Sequence, residues 1–319
     1  MARAVGVNAP PAPLEGWVPV RLQERDVPVV EWCWLGGLGF DEPFFVQTVE
    51  RAFRTPFSLL FRRETPIDYL EALEPGLEPS GFLFHGSRCG STLVAQMLAS
   101  SPQHLVLSEP PPVDQVLRAR APEAERVRWL RAIMAALGRP RHAGQRRYVV
   151  KLDAWSACSL PVVRRAFPNV PWVFLFREPV QVLASHFRQR GAHMVPGALD
   201  PTLFGLDPDA IASMPPAEYC ARVLASIYRS PLEHRDARAL FVDYAELPGA
   251  VLDRITGAFG LDCSEAELAR MREVAALDAK NSHLCFSPDG DAKEREAPAE
   301  LRDAADRWVR PIYEQLRAC

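Results

Sequence analysis

Five short runs in this chain are apolar at nearly every residue: GFLF at 81–84, HLVL at 104–107, YVV at 148–150, VPWVFLF at 170–176 and ALFV at 239–242. A strand with one wet face alternates apolar and polar residues, whereas a strand apolar throughout has to be covered on both faces. Helical segments separate these runs: STLVAQMLAS, the stretch from about 113 to 137, the segment opening at Leu160-Pro161, and PVQVLASHFRQR with Pro179 in its first turn. A long helix is expected over about 216–235, and GAVLDRITGAFG, SEAELARMREVAALDAK and PAELRDAADRWVRPIYEQLR also read as helical. This order predicts an α/β fold, a three-layer domain with a mainly parallel central sheet and helices on both sides.

The Pro/Gly/Glu-rich stretch EALEPGLEPSG, residues 71–81, is the best boundary in the chain. It separates a domain at 76–319 from an N-terminal extension, 1–75, of unknown role. In the extension WVPVRLQ and VPVVEWCWLG read as short strands and EPFFVQTVERAF as a helix, while residues 1–15 are Pro- and Ala-rich and loose. The WCW at 32–34 reads as core packing. Two stretches, 191–214 and 281–297, are too long for ordinary connections and are expected to be lids over one end of the sheet.

Composition narrows the function classes. A net charge of −3 gives no sign of nucleic-acid binding, and no apolar run approaches the roughly 18 residues of a membrane span. The N-terminus lacks the apolar core of a secretory leader, which points to the cytoplasm. The seven cysteines are an odd number without a C-x-x-C pair, so neither disulfides nor a structural metal is expected. Among 37 basic residues only Lys151, Lys280 and Lys293 are lysines. Against that arginine bias, each lysine marks a place where a compact ammonium is wanted, unless it survives by chance.

The first apolar run feeds a glycine turn, Gly86-Ser87-Arg88-Cys89-Gly90-Ser91-Thr92, that opens a helix. A nucleotide-hydrolysing loop reads G-x-x-x-x-G-K-[ST], its lysine on the terminal phosphates and its hydroxyl on magnesium. Here the first glycine sits one residue too close and Ser91 replaces the lysine. The amides from Cys89 to Thr92 can still wrap an anion at a helix N-terminus, with Arg88 adding a forked cation. The plain alternative is a strand–turn–helix junction whose glycines serve geometry alone.

Three further strands end on charged groups: Glu109 after the second, Lys151 at the end of the third, Arg177 after the fourth, with Ser185 eight residues beyond it. Ligands of open α/β sheets sit beyond the carboxyl ends of the strands, where all of these fall. Taken singly, Arg177 could be a surface ion-pair partner, Lys151 a strand-end solvating group and Glu109 a charge ahead of a helix.

Together these motifs resemble those of PAPS-dependent sulfotransferases, which use 3′-phosphoadenosine 5′-phosphosulfate. In that family a loop of the type R-S-G-T-T or P-K-S-G-T-T holds the 5′-phosphosulfate without a metal. SRCGST is similar, with Arg88, Gly90, Ser91 and Thr92 matching and Cys89 departing from a serine. Arg177 and Ser185 reproduce the family's 3′-phosphate pair, and LFVDYAELPGAVLDRITGAFGL resembles a late segment that would place Tyr244 near the nucleotide. The similarity runs over about 81–318 and implies sulfuryl transfer to a hydroxyl or amine of a small-molecule acceptor, with no nucleic-acid or membrane partner; oligomeric state stays open.

The resemblance implies that Lys151 bridges the sulfuryl group and the leaving oxygen. For the base, some members have a histidine two residues after that lysine, where this chain has Asp153. Glu109 matches the glutamate of tyrosylprotein-type members, and it would benefit from a pKa raised by partial burial. Glu109 is therefore the expected base and Asp153 the reserve. Lys293 is a candidate clamp for a cofactor phosphate and Arg188 a support for the 3′-phosphate. His85 reads as a packed strand-end residue, His186 and His193 as structural or lid residues. Two other functions remain compatible with the residues: a magnesium-dependent small-molecule kinase, and a non-catalytic nucleotide-binding module.

Overall fold

The computed structural model describes residues 14–278, 281–285 and 294–319. The chain begins with an antiparallel sheet of β1 (Trp17–Gln23), β2 (Val29–Trp34) and β3 (Arg63–Pro66), with helices α1 (Phe45–Phe53) and α2 (Pro56–Leu60) between the last two strands. Trp32 and Cys33 are buried, as the WCW pattern predicts, and the Trp32 indole donates to Thr65 Oγ1 at 2.9 Å.

The central sheet is five-stranded and wholly parallel: β4 (Gly81–His85), β5 (His104–Ser108), β6 (Arg147–Lys151), β7 (Trp172–Phe176) and β8 (Ala239–Asp243), in the spatial order β5-β6-β4-β7-β8. Alternate residues enter opposite cores, which is why the strands are apolar throughout. Phe82, Phe84, Leu107, Val150, Phe174 and Phe176 face one side, and Leu83, Val106, Val149, Val173, Leu175 and Val242 the other. Each such side chain contributes about 1.5–3 kcal/mol by leaving water.

Helix α3 (Ser91–Ala99) covers the second face. The first is covered by α4 (Pro111–Arg118), α5 (Glu123–Leu137), α6 (Leu160–Ala166), α7 (Pro179–Arg188) and the long helix Pro216–Glu233. The N-terminal sheet lies against this layer. Leu22 N donates to Gln115 Oε1 at 2.6 Å, and Arg120 N to Glu24 Oε2 at 2.9 Å. The buried residues of this sheet and of the first face form one continuous core.

The two long stretches carry more local structure than expected. Residues 191–214 form short helical turns at Ala192–Met194, Pro201–Phe204 and Pro208–Ile211, with Met194, Phe204 and Leu206 buried. The Ser226 hydroxyl on the long helix ties this segment down by donating to Phe204 O at 2.7 Å. In the second stretch, Asn281–Cys285 is a strand antiparallel to Leu277–Asp278. Lys280 and Lys293 lie outside the described residues.

Candidate active site

At the carboxyl edge of the sheet lies a cavity of about 620 Å³. Strand pairing alone brings its charged residues together, because Lys151 pairs with Ser108 on one neighbour and with Leu83 on the other. Glu109, one residue past β5, donates its amide to Lys151 O at 2.8 Å. Arg177 follows β7 and Tyr244 follows β8, whose last residues Phe176 and Asp243 are paired.

The loop after β4 is built on unusual backbone. Ser87 and Arg88 have φ of 64° and 51°, and Gly90 has φ of 79°. Glu109 is a third non-glycine residue in this region, at φ 55°. Such conformations cost about 1 kcal/mol or more each for residues with a Cβ, and they cluster where function requires them. All four line the cavity. Left-handed residues in a short loop turn amides toward a common concavity, a ready anion site. Among the described residues no side chain caps the first turn of α3, so its amides face the concavity with the positive end of the helix dipole. Gly86 has a packing reason: a Cβ there would fall 2.2 Å from the Tyr228 ring. The Tyr228 hydroxyl accepts from Arg177 N at 3.1 Å and donates to Arg177 O at 2.6 Å, fixing the end of β7.

Cys89 loses its oddity here. Its side chain is buried in the second core and donates to Leu175 O at 3.3 Å, so the loop uses its amide rather than its thiol. Burial pushes the thiol up to about 12, outside the range of reactive cysteines. Cys89→Ser, whose hydroxyl can make the same bond, is expected to keep the fold, with little change in melting temperature. Intact-mass analysis after iodoacetamide is expected to show Cys89 unmodified in the folded protein; rapid alkylation would contradict this placement.

Lys151, only 1% exposed, sets its ammonium 2.7 Å from Glu109 Oε1 and 3.5 Å from Thr92 Oγ1. The same ammonium lies 4.9 Å from the centre of the Phe44 ring, contributed by the N-terminal extension. The lysine missing from the loop is thus replaced by one from the adjacent strand, aimed at the loop's own threonine. Glu109 departs from expectation in direction. Burial alone would raise its carboxyl, but Lys151 and His85 together outweigh burial and hold it down at about 2.

His85 Nδ1 accepts from Ser87 N at 3.1 Å, so the ring proton sits on Nε2, 3.4 Å from Glu109 Oε1. Burial lowers its pKa, keeping it neutral. Asp153 lines the same cavity and moves the opposite way: burial, then the charges of Glu109 and Asp114, raise it well above the usual carboxylate range.

Arg177 is buried and stacks its guanidinium on the Tyr244 ring, 3.9 Å from the centroid. Its Nε donates to Gln181 Oε1 at 2.9 Å and its Nη1 to Arg88 O at 3.2 Å, linking it to the loop. Ser185, Arg88, Ser91 and Thr92 also line the cavity, and Arg88 donates to Gln189 O at 2.9 Å. Arg188 does not line it; it is exposed and ion-paired with Glu296.

Phe44, Trp155, His186 and His193 are among the lining residues that carried no functional assignment in the sequence. His193 is buried with no hydrogen-bond partner on either ring nitrogen among the described residues. Burial first, then the neighbouring His85, lowers its pKa to about 3 and keeps it uncharged. Its ring lies 5.5 Å from that of Trp155, whose indole donates to Asp114 Oδ1 at 2.5 Å. The Ala-His-Met turn at 192–194 that places His193 has no local sequence signature, which is why it was not anticipated. The cavity therefore joins the cationic loop to a set of uncharged rings, Trp155 beside His193 and Phe44 over the Lys151 ammonium.

No sequence-family profile matches the chain, and no curated protein does. Among solved structures it is similar to the sulfotransferase domain of a Synechococcus olefin synthase, at 18% identity and TM-score 0.44, over 74% of this chain and 96% of that one. A Mycobacterium tuberculosis sulfotransferase is similar at 15% identity and TM-score 0.44, over 76% and 79% of the two chains. A mouse sulfotransferase complexed with PAP is similar at 13% identity and TM-score 0.39, over 78% and 87%. Among the described residues no helix is long and apolar enough to cross a membrane.

Proposed function

We propose that the chain is a PAPS-dependent sulfotransferase acting on a hydroxyl or amine of a small-molecule acceptor in the cytoplasm. The observation that carries this reading is Lys151: a phosphate-type loop without its own lysine is met by an ammonium from the next strand, 3.5 Å from Thr92 Oγ1. The residues suit such a donor. The uncapped first turn of α3 and Arg88 would hold the phosphosulfate, and Arg177, Ser185 and Tyr244 the 3′-phosphate and adenine end. When bound, the donor supplies the sulfuryl group.

What the chain supplies is positioning and charge. Lys151 would stabilise negative charge on the departing phosphate. Glu109 would take the acceptor's proton. At rest it is a poor base, since Lys151 is its strongest lowering partner and burial the largest opposing influence. An ammonium drawn toward the donor leaves burial to raise Glu109, so the base gains strength when the donor is in place. The uncharged side, Phe44, Trp155 and His193, would hold the acceptor and exclude water. On this reading the extension, 1–75, completes the acceptor wall of the 76–319 domain.

The test is thermal. 3′-Phosphoadenosine 5′-phosphate (PAP) is expected to raise Tm by several degrees at saturating concentration, whereas ATP with magnesium leaves it unchanged. Stabilisation by ATP–magnesium alone, with EDTA-sensitive phosphate transfer, would instead establish a kinase.

A further inference from the structure

We infer that the Ser87 hydroxyl is an anion-binding donor, aimed into the cavity by His186 and ultimately by the amide of Gly191. The inference rests on the reading above that this loop holds an anion. It begins with a group whose role is fixed: a backbone N–H can only donate. Gly191 N lies 3.2 Å from His186 Nδ1, so Nδ1 carries the lone pair and the ring proton sits on Nε2. His186 Nε2 lies 3.0 Å from Ser87 Oγ, so the imidazole donates and the serine oxygen accepts.

The Ser87 proton has to point elsewhere. The described residues offer it no hydrogen-bond acceptor, and Ser87 lines the cavity. A hydroxyl that already receives a donor from behind is a directed donor in front. His186 is 0% exposed and sits behind the loop, where it can fix the hydroxyl with little loss of order on binding. The left-handed φ of 64° at Ser87 acquires a reason as well, because the same residue donates its amide to His85.

Gly191 begins the segment whose next two residues, Ala192 and His193, line the aromatic side of the cavity. One chain of hydrogen bonds, Gly191 to His186 to Ser87, therefore runs from the acceptor side to the anion loop. His186 is a positioning residue in this scheme, and Ser87 the group that meets the ligand.

Calorimetric titration with PAP tests this on wild type, Ser87→Ala, His186→Phe and the double variant, with melting curves to confirm folding. Ser87→Ala is expected to weaken PAP about ten-fold or more, as for one hydrogen bond to a charged group. His186→Phe is expected to weaken it several-fold, and the double variant to match Ser87→Ala alone if the anion is reached through the hydroxyl. His186→Gln keeps an acceptor for Gly191 and a donor for Ser87, and is expected to restore most of the affinity. Wild-type affinity in Ser87→Ala, or additive losses in the double variant, overturns the inference. Should His186→Phe not fold, Ser87→Ala and His186→Gln decide it. If PAP fails to bind the wild type, the functional reading falls; inorganic pyrophosphate titrated into the same proteins then decides the role of the hydroxyl by itself.

Discussion

Lys151→Ala is expected to lower turnover by about 10²–10³-fold or more while PAP affinity changes only a few-fold. Removing one preorganised charge-stabilising donor typically costs this much in rate. On the proposed reading the loop amides, Arg88 and Arg177 would still hold the nucleotide, so binding and turnover are expected to separate. That separation also distinguishes an enzyme from a nucleotide-binding module: unchanged turnover in Lys151→Ala would remove the catalytic assignment.

The same variant makes a prediction about stability, and its sign follows from the ion pair. In the wild type Glu109 is held at about 2, below its ordinary value of 4.5, so the pair's contribution is full above the ordinary value and fades as pH falls toward 2. Without Lys151, burial remains the largest influence, opposed by His85, and the carboxyl is expected to move upward. The cost of ionising it then appears as pH rises through that higher value. Melting temperature against pH is expected to slope in opposite directions for the two proteins between about pH 3 and 6, with Asp153, which Lys151 also lowers, shifting in the same sense as Glu109. Parallel curves would show that Lys151 does not govern Glu109.

Glu109→Gln is expected to reduce kcat by about 10²–10⁴-fold, the usual worth of a general base, and to leave PAP affinity near the wild-type value. Asp153→Asn is expected to cost less than about ten-fold in kcat and to act on the acceptor's KM. The distinction comes from their surroundings. Glu109 touches Lys151 and faces His85, so its basicity can change when the lysine moves. Asp153 is raised by burial and by two neighbouring carboxylates, which favours its protonated, hydrogen-bond-donating form. Environments that push two carboxyl groups apart assign them different roles. If Asp153→Asn proved the more damaging, the order of the two would reverse.

Much of this architecture was legible because it depends on local pattern. The five central strands begin and end within a few residues of the apolar runs, and Glu109, Lys151 and Arg177 meet because each lies at or just beyond the carboxyl end of a parallel strand. The hidden parts depend on distance in sequence. Phe44 reaches Lys151 across more than a hundred residues, and nothing near Phe44 marks it as a cavity residue. The direction of the Glu109 shift is not legible in sequence because burial and ion pairing compete, and only the 2.7 Å separation shows which prevails. Sequence marks His193 only as a structural or lid residue; what sets it apart is two buried ring nitrogens without a hydrogen-bond partner among the described residues, a property of packing rather than of composition.

Phe44 also has a consequence for engineering. Among the described residues it belongs to a segment that shares no strand with the parallel sheet and is joined to the helical layer by side-chain packing and hydrogen bonds at Gln115 and Arg120. Substitutions at Phe44 therefore alter the cavity wall without touching the backbone ladder that aligns Lys151, Arg177 and the loop. A small library at this one position would, on the proposed reading, vary the acceptor wall and the ring that faces the Lys151 ammonium together, while the strand register beneath them is inherited by every member.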